Sequence, residues 1–264
     1  MIIWAADGFG SLRLSLVLAL VLGSSALYVL WLPDVAPFKR HNPQTTAYIE
    51  LRRAKTPPRL IWVAWDQISE NLKNGVLIAE DDTFYQHQGI DWESMKAALA
   101  KDWELKRFAY GASTITQQLA RNLYLSPSKN PLRKIKEILI ARRLEKVLGK
   151  RRIFELYLNV VEWGKGIYGA EAAAQVYFNK SAADLTAEEA AAMAAVLPNP
   201  HRWNPAVRGP YVERNSRRIM DRMRASGFLP DEAPILQIVP SETPVLQIVP
   251  AANPPADATA QPKT

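Results

Sequence analysis

The sequence predicts a mainly α-helical domain with minimal β structure, carried behind one N-terminal transmembrane helix. Three observations predict it. Residues 11–32 (SLRLSLVLALVLGSSALYVLWL) are apolar with a single charge, Arg13, and about 20 mainly apolar residues suffice to span a bilayer. Further on, Ile153, Leu156, Tyr157, Val160 and Val161 recur at the spacing that lines one side of a helix. The best strand candidate is one short run, Leu60 to Trp65 (LIWVAW).

Taken in order, residues 1–10 form a short N-terminus and 11–32 the membrane helix, with Tyr28 and Trp31 near the end where amphipathic rings favour the interface. Gly23-Ser24-Ser25-Ala26 has the small residues of a signal-peptide cleavage region. The apolar run continues past it to Leu32, longer than the ~7–15 residues of a signal core, which favours an anchor. Orientation stays open on the residues alone. Lys39, Arg40, Arg52, Arg53, Lys55 and Arg59 follow the helix, but long domains translocate largely regardless of such charges.

Residues 33–59 read as a linker with one short helix near Tyr48–Lys55. In the domain that follows, residues 60–227, Asp91 caps a helix reaching about Trp103, with Glu93 in its first turn. A second helix starts at Ser113–Thr114 and runs to about Leu125, before a loop marked by Pro127 and Pro131. Leu132, Ile135, Ile138 and Leu139 predict the buried face of the next helix, which precedes the one at 153–161. Gly164, Gly166 and Gly169 mark a turn before Ala170–Tyr177. Thr186 and Glu189 form a capping box for an alanine-rich helix ending before Pro198. A basic helix spans about Val212–Ser226. Residues 228–264 form a Pro/Ala-rich tail in which PILQIVP (234–240) recurs as PVLQIVP (244–250). It reads as disordered and without chemistry.

Composition narrows the function. The 264 residues are 48% hydrophobic and 22% charged, ordinary for a folded protein. Absence of cysteine excludes disulfides and thiolate metal sites. His41, His87 and His201 are too dispersed for an HExxH helix. The net charge of +7 favours anionic partners: nucleic acid, acidic lipid or a phosphorylated substrate.

Three stretches can carry chemistry. EDDTFYQHQG (80–89) sets three acids directly after the apolar run Val76–Ala79. They suit a helix cap or solvated turn, a Mg²⁺ or Ca²⁺ site (although EF-hand spacing is missing), or a carboxylate against an apolar wall, its pKa raised for proton transfer. Glu80, with Phe84 one turn on, fits the last description. GASTITQQLARN (111–122) crowds Ser113, Thr114, Gln117 and Gln118 at a helix start, a seat for phosphate or sugar oxygens. Arg121 extends that polar surface. RKIKEILIARRLE (133–145) places Glu137 one turn after Arg133, the spacing of an ordinary ion pair, within a run rich in basic residues. Between the first two stretches, Trp103–Tyr110 interleaves aromatic and basic residues. Lipid and nucleic acid both use such a pattern, and the anchor favours lipid.

These blocks, in this order, resemble the peptidoglycan glycosyltransferases. EDDTFYQHQG matches E-D-x-x-F-x-x-H-x-G, GASTITQQ matches G-x-S-T-I-T-Q-Q, and RKIKEILIARRLE matches R-K-x-x-E-x-x-x-A-x-x-L-E. ELYLNVVEWGKGIYGAEAAAQVYFNK and LPNPHRWNP are similar to the family's fourth block and closing signature. The resemblance covers about Leu60 to Gly227. It implies the lysozyme-like polymerising domain also found in bifunctional penicillin-binding proteins. SxxK paired with KTG is absent, so the chain resembles the monofunctional biosynthetic peptidoglycan transglycosylases, without transpeptidase activity.

The resemblance implies a single-pass protein of the bacterial cytoplasmic (inner) membrane, its catalytic domain on the periplasmic side. It implies lipid II and a lipid-linked glycan strand as substrates, no nucleic acid, and cell-division or cell-wall synthesis proteins as candidate partners. A β-1,4 bond forms by inverting displacement of undecaprenyl diphosphate. Glu80 is the expected base and Glu137 the second glutamate, which orients diphosphate-binding groups, binds metal or assists acid–base chemistry. Ser113, Thr114, Gln117 and Gln118 hold sugar or phosphate oxygens. Arg121, Arg133 and Lys134 stabilise the leaving diphosphate, and Asp81, Phe84 and His87 shape the Glu80 site. The expected cofactor set is at most a divalent cation, Mg²⁺ or Mn²⁺, and no organic cofactor. The rival readings are a lytic transglycosylase or lysozyme-like hydrolase, which needs neither STITQQ nor RKxxE, and a non-catalytic scaffold.

Overall fold

The computed structural model describes residues 4–53, 57–105, 113–128 and 130–230, and within them the side chains of all but 4–12, 99 and 102. The repeated tail beyond Pro230, Gly111 and the part of the aromatic–basic stretch after Leu105 lie outside these residues.

Helix α1 (Trp4–Leu30) contains a segment, Arg13–Leu30, long and apolar enough to cross a membrane. From Leu14 to Leu30 its leucines face outward, with Val17 and Val21. Near its C-terminal end, the Lys136 ammonium lies 4.1 Å from the centre of the Tyr28 ring and 6.0 Å from that of Trp31.

The following segment is docked on the domain. Val35 is fully buried, and α2 (Ala47–Arg53) buries Ile49 and packs on α5 (Ile115–Tyr124). From α7 (Lys150–Val160), Arg152 donates to the carbonyls of Phe38 (2.8 Å) and His41 (3.0 Å) and to Asn42 Oδ1 (2.7 Å).

The domain is helical, as expected. Asp91 caps α4 (Trp92–Glu104), accepting from the Ser94 N–H at 2.8 Å. Thr114 caps α5, with Gln117 completing the capping box. Thr186 and Glu189 form the same device for α9 (Ala187–Val196), which stops before Pro198. α8 (Ala170–Phe178) and α10 (Pro210–Ala225) occupy their expected places. The expected apolar row of α7 is buried, Ile153 to Val161.

Three expectations need correction. LIWVAW does not form a strand along its length: β1 is Arg59–Leu60 only. Side chains of α7 take the backbone groups that a ladder would have used. Asn159 accepts from the Val63 N–H (2.9 Å) and donates to its carbonyl (3.0 Å), while Glu155 accepts from the Trp65 N–H (3.2 Å). Second, an unexpected helix, α3 (Glu70–Glu80), leads into the acidic stretch. Ser69 caps it, and it buries Leu72, Val76 and Leu77. Third, α6 (Pro131–Val147) turns a different face inward. It buries Glu137, Ile140, Ala141 and Leu144, whereas Ile135 is 47% exposed. Packing on α5 buries the face that carries Glu137, leaving Leu132, Ile138 and Leu139 half-buried and Ile135 exposed.

A small sheet closes one side in the order β1-β3-β2. β1 runs parallel to β3 (Ile167–Tyr168), which pairs antiparallel with β2 (Glu162–Gly164). Gly169 follows at φ +82°, where a Cβ would lie 2.6 Å from the Asn159 carbonyl oxygen. No other residue fits that turn. Two helical groups share the core: α3 packs with α9 and α10, and α5 packs with α6 and α7. Phe84, Phe154, Tyr157, Leu119 and Met193 lie in that shared core.

Candidate active site

Glu80 is the last residue of α3. A carboxylate there faces the negative end of the helix dipole, and protein atoms crowd it, so both circumstances favour the protonated form. Its pKa is accordingly raised, first by burial. The Gln118 hydrogen bond and the Arg121 charge oppose that rise, and neighbouring Asp81 adds to it. Gln118 Nε2 donates to Glu80 Oε2 at 2.7 Å, and the Tyr157 hydroxyl donates to Gln118 Oε1 at 3.1 Å. Phe84 has no exposed surface and packs on Phe154 with ring centres 5.5 Å apart. It is part of the core beneath the loop and lines neither cavity at Glu80.

Asp81 points the other way, into the protein. Its carboxylate accepts from the Ile115 N–H (2.9 Å) at the start of α5 and from His87 Nε2 (3.0 Å). His87 Nδ1 accepts from the Gly89 N–H at 3.1 Å, which makes Nε2 the protonated nitrogen. Gly89 adopts φ +84°, and a Cβ there would sit 3.0 Å from Glu145 Cγ and 3.3 Å from the Ala141 carbonyl oxygen. Its own carbonyl accepts from Thr114 Oγ1 at 2.7 Å. The loop 81–91 is thereby fastened to α5 and α6.

A second cluster gathers at the starts of α5 and α6. Glu137 is completely buried; one oxygen pairs with Arg133, and the other lies 2.5 Å from Lys134 Nζ. Lys134 also donates to Ser113 Oγ (2.9 Å) and Gln117 Oε1 (3.3 Å) and remains 37% exposed. Arg133 Nε donates to the Ser128 carbonyl. Burying this glutamate between two cations satisfies its charge and fixes theirs.

Two cavities meet at Glu80. One, of about 360 Å³, is lined by Glu80, Asp82, Ser94, Lys101, Ser113 and Arg222. The other, of about 180 Å³, is lined by Glu80, Pro198, Tyr211, Asn215, Arg218 and Arg222. Between them Arg222 donates to Asp82 at 2.8 Å. Beside the second cavity Trp203 stacks on Tyr211, ring centres 4.2 Å apart and nearly parallel.

The fold thus divides the expected residues. Glu80, Gln118 and Arg121 form one group; Glu137, Arg133, Lys134, Ser113 and Gln117 form another; Asp81, His87 and Thr114 link the segments that carry them. Several members escaped sequence reasoning. Tyr157 was readable only as part of an apolar row, although a lone hydroxyl in such a row needs a partner. Arg218 and Arg222, one turn apart with Asn215 on the same side, are the signal that "basic helix" conceals. Among the described residues no three histidine, aspartate or glutamate side chains converge as a metal site, and the Asp81 and Glu137 carboxylates already have partners.

A helical domain that sets one raised-pKa glutamate at the meeting of two cavities, with a fixed cation pair nearby, defines an enzyme suited to glycosyl transfer. The Transglycosylase family model matches residues 48–224. The chain is 48% identical over 215 residues to the biosynthetic peptidoglycan transglycosylase of Aromatoleum aromaticum, covering 78% of this chain and 93% of that one. Proteins of the same description from Alcanivorax borkumensis and Azoarcus sp. are 46% and 44% identical, covering 80% and 77% of this chain and 86% and 92% of theirs. The chain belongs to the transglycosylase family. The expected fold and enzyme class, a mainly helical glycosyltransferase domain behind one candidate membrane helix, stand.

Proposed function

We propose that this protein polymerises lipid II into β-1,4-linked glycan strands by inverting displacement of undecaprenyl diphosphate, as a membrane-anchored peptidoglycan glycosyltransferase without transpeptidase activity. The observation that carries the reading is Glu80, raised in pKa and open to both cavities. Glu80 removes the proton from the C4 hydroxyl of the acceptor lipid II. That oxygen attacks the anomeric carbon of the lipid-linked strand from the face opposite the diphosphate. The carbon–oxygen bond to the diphosphate breaks, and the lipid diphosphate leaves as an anion. This differs from inverting hydrolysis, in which the base activates water.

A leaving diphosphate needs positive charge more than a proton. Lys134, joined to Ser113 and partly exposed, supplies it with Arg133 and Arg121. Glu137 holds two of those cations and takes no part in proton transfer. Thr114, Gln117 and Asp81 are buried and the His87 side chain is 9% exposed, and all four serve to hold the loop and helix start. The cavity beside Tyr211, Asn215 and Arg218 gives the acceptor a separate approach to Glu80. A Mg²⁺ or Mn²⁺ ion bound with the substrate diphosphate would add to the charge that Lys134 supplies. The domain works on the periplasmic side of the cytoplasmic membrane, where cell-wall synthesis proteins are its natural partners.

The test is polymerisation of lipid II by the full-length protein in detergent, wild type against Glu80→Gln. Loss of polymer supports the reading. Full activity in the variant, or release of soluble fragments from sacculi with no polymer from lipid II, overturns it.

A further inference from the structure

The amide of Gln118 has two ends, and the fold dictates which end meets Glu80. An amide carries an oxygen that only accepts and a nitrogen that only donates. Here the oxygen lies 3.1 Å from the Tyr157 hydroxyl and the nitrogen 2.7 Å from Glu80 Oε2. Tyr157 has no exposed surface. Its O–H therefore needs a protein acceptor, and Gln118 Oε1 is in reach. Rotating the amide by half a turn would set its oxygen against an ionised carboxylate and strip the phenol of its acceptor.

We propose that Tyr157 is a positioning residue: by donating to Gln118 Oε1 it locks the amide with its NH₂ toward Glu80, and so keeps Glu80 in the ionised form that a base requires. The proposal rests on reading Glu80 as the base, and it adds a residue whose only contact with the chemistry is through Gln118.

Two further facts bear on it. The Gln118 hydrogen bond is the largest influence opposing the effect of burial on Glu80. Burial and the neighbouring Glu80 charge hold the Tyr157 hydroxyl well above the usual phenol range, so it stays protonated and remains a donor. The other charged groups around Glu80 are Asp81 and Asp82 beside it, Arg121 on α5, Asp91 and Lys101 at and on α4, and Arg218 and Arg222 on α10. None of them is changed by removing one phenolic oxygen.

With Tyr157→Phe the amide loses the partner of its oxygen, and only the long contact from its nitrogen to the Ser113 carbonyl (3.5 Å) still opposes a half turn. A protonated Glu80 can then donate to Gln118 Oε1, so the neutral form gains a partner and the Glu80 pKa rises. Since the base works ionised, the acid limb of the activity profile must move to higher pH, by about one unit if one charge-assisted hydrogen bond is lost. Below that limb the rate falls about tenfold.

The experiment uses the full-length protein in detergent with two readouts. The first is the initial rate of lipid II polymerisation against pH for wild type, Tyr157→Phe, Gln118→Met and the double variant. The second is the titration of the Glu80 carboxyl carbon by NMR, the signal identified by its absence in Glu80→Gln. Upward displacement of both the limb and the carboxyl titration in each single variant, with no further displacement in the double, is the expected result. A uniform loss of rate with the Glu80 titration unmoved, or no change in either readout, overturns the proposal. If Tyr157→Phe misfolds, Gln118→Met reads the same bond from its other partner, and an unmoved titration there overturns it too. The carboxyl titration does not depend on turnover, so an active Glu80→Gln would remove the base assignment while the Tyr157 result stood separately.

Discussion

The two glutamates of the site are both enclosed by protein and are treated in opposite ways. Glu80 meets a neutral amide donor and keeps some exposure to the cleft, and burial dominates its proton affinity. Glu137 meets Arg133 and Lys134 and has no exposure. An enclosed carboxylate held by a neutral donor is uneasy as an anion and ready to take a proton. One clamped between cations is at rest. On the proposed reading, reactivity and structural support are separated by partner chemistry, and the same amino acid serves both.

Exchanging each carboxylate for an amide tests that contrast most directly. Glu80→Gln should lower the polymerisation rate by about 10²–10⁴-fold, the contribution of a positioned base, measured as glycan strand formed from lipid II. Lys134→Ala should cost about 10²–10³-fold through lost stabilisation of the leaving group, and in the same assay it should retain the wild-type pH limb because Glu80 is untouched.

Stability should sharpen the comparison further. Glu137→Gln leaves two cations without their buried counter-charge and should cost about 3–5 kcal/mol, read as a lower midpoint in thermal or denaturant unfolding. Glu80→Gln should act in the opposite sense. A carboxylate whose folded pKa is raised contributes most below its unfolded pKa, and that contribution is lost as pH rises through the folded value. Near pH 7 the wild type has lost it and the amide has not. The variant should therefore unfold at a higher temperature than wild type at pH 7, the gap closing as pH falls toward the unfolded carboxyl pKa. A Glu80→Gln protein less stable than wild type at pH 7 would break the comparison. The smallest expected effect is at the junction of the two regions. Gly89→Ala forces a Cβ into a left-handed position against Glu145 and Ala141, at about 1–2 kcal/mol, with a modest fall in activity as the loop 81–91 shifts.

Much of this was legible in the sequence, for identifiable reasons. Caps announce themselves locally, so Asp91, Thr114 and Thr186 marked their helices correctly. The 153–161 row was readable because that helix is buried on a conventional apolar face. On α6 the same logic chose the wrong face, because the protein buries the row containing Glu137 and hydropathy cannot foresee a glutamate satisfied by its own neighbours one turn away. The strand at 60–65 failed because Asn159 and Glu155, about 90 residues later, bind its backbone. The expected site residues came from the motif blocks, but Arg218 and Arg222 lie outside those blocks, and the grouping of the rest was not legible. Nothing in the spacing of Glu80, Gln118 and Tyr157 says that they form one chain of hydrogen bonds.

The segment after α1 carries a further implication. Arg152 grips three successive points between Phe38 and Asn42, Tyr124 donates to the Asp34 carbonyl, and Val35 is sunk in the core. On the proposed reading, with α1 in the bilayer, a leash so fastened would transmit attitude as well as proximity, holding the cleft at one height and one heading relative to the membrane, like a tool in a fixed mount. On that same reading, a growing strand would have to slide through while the mount stays still.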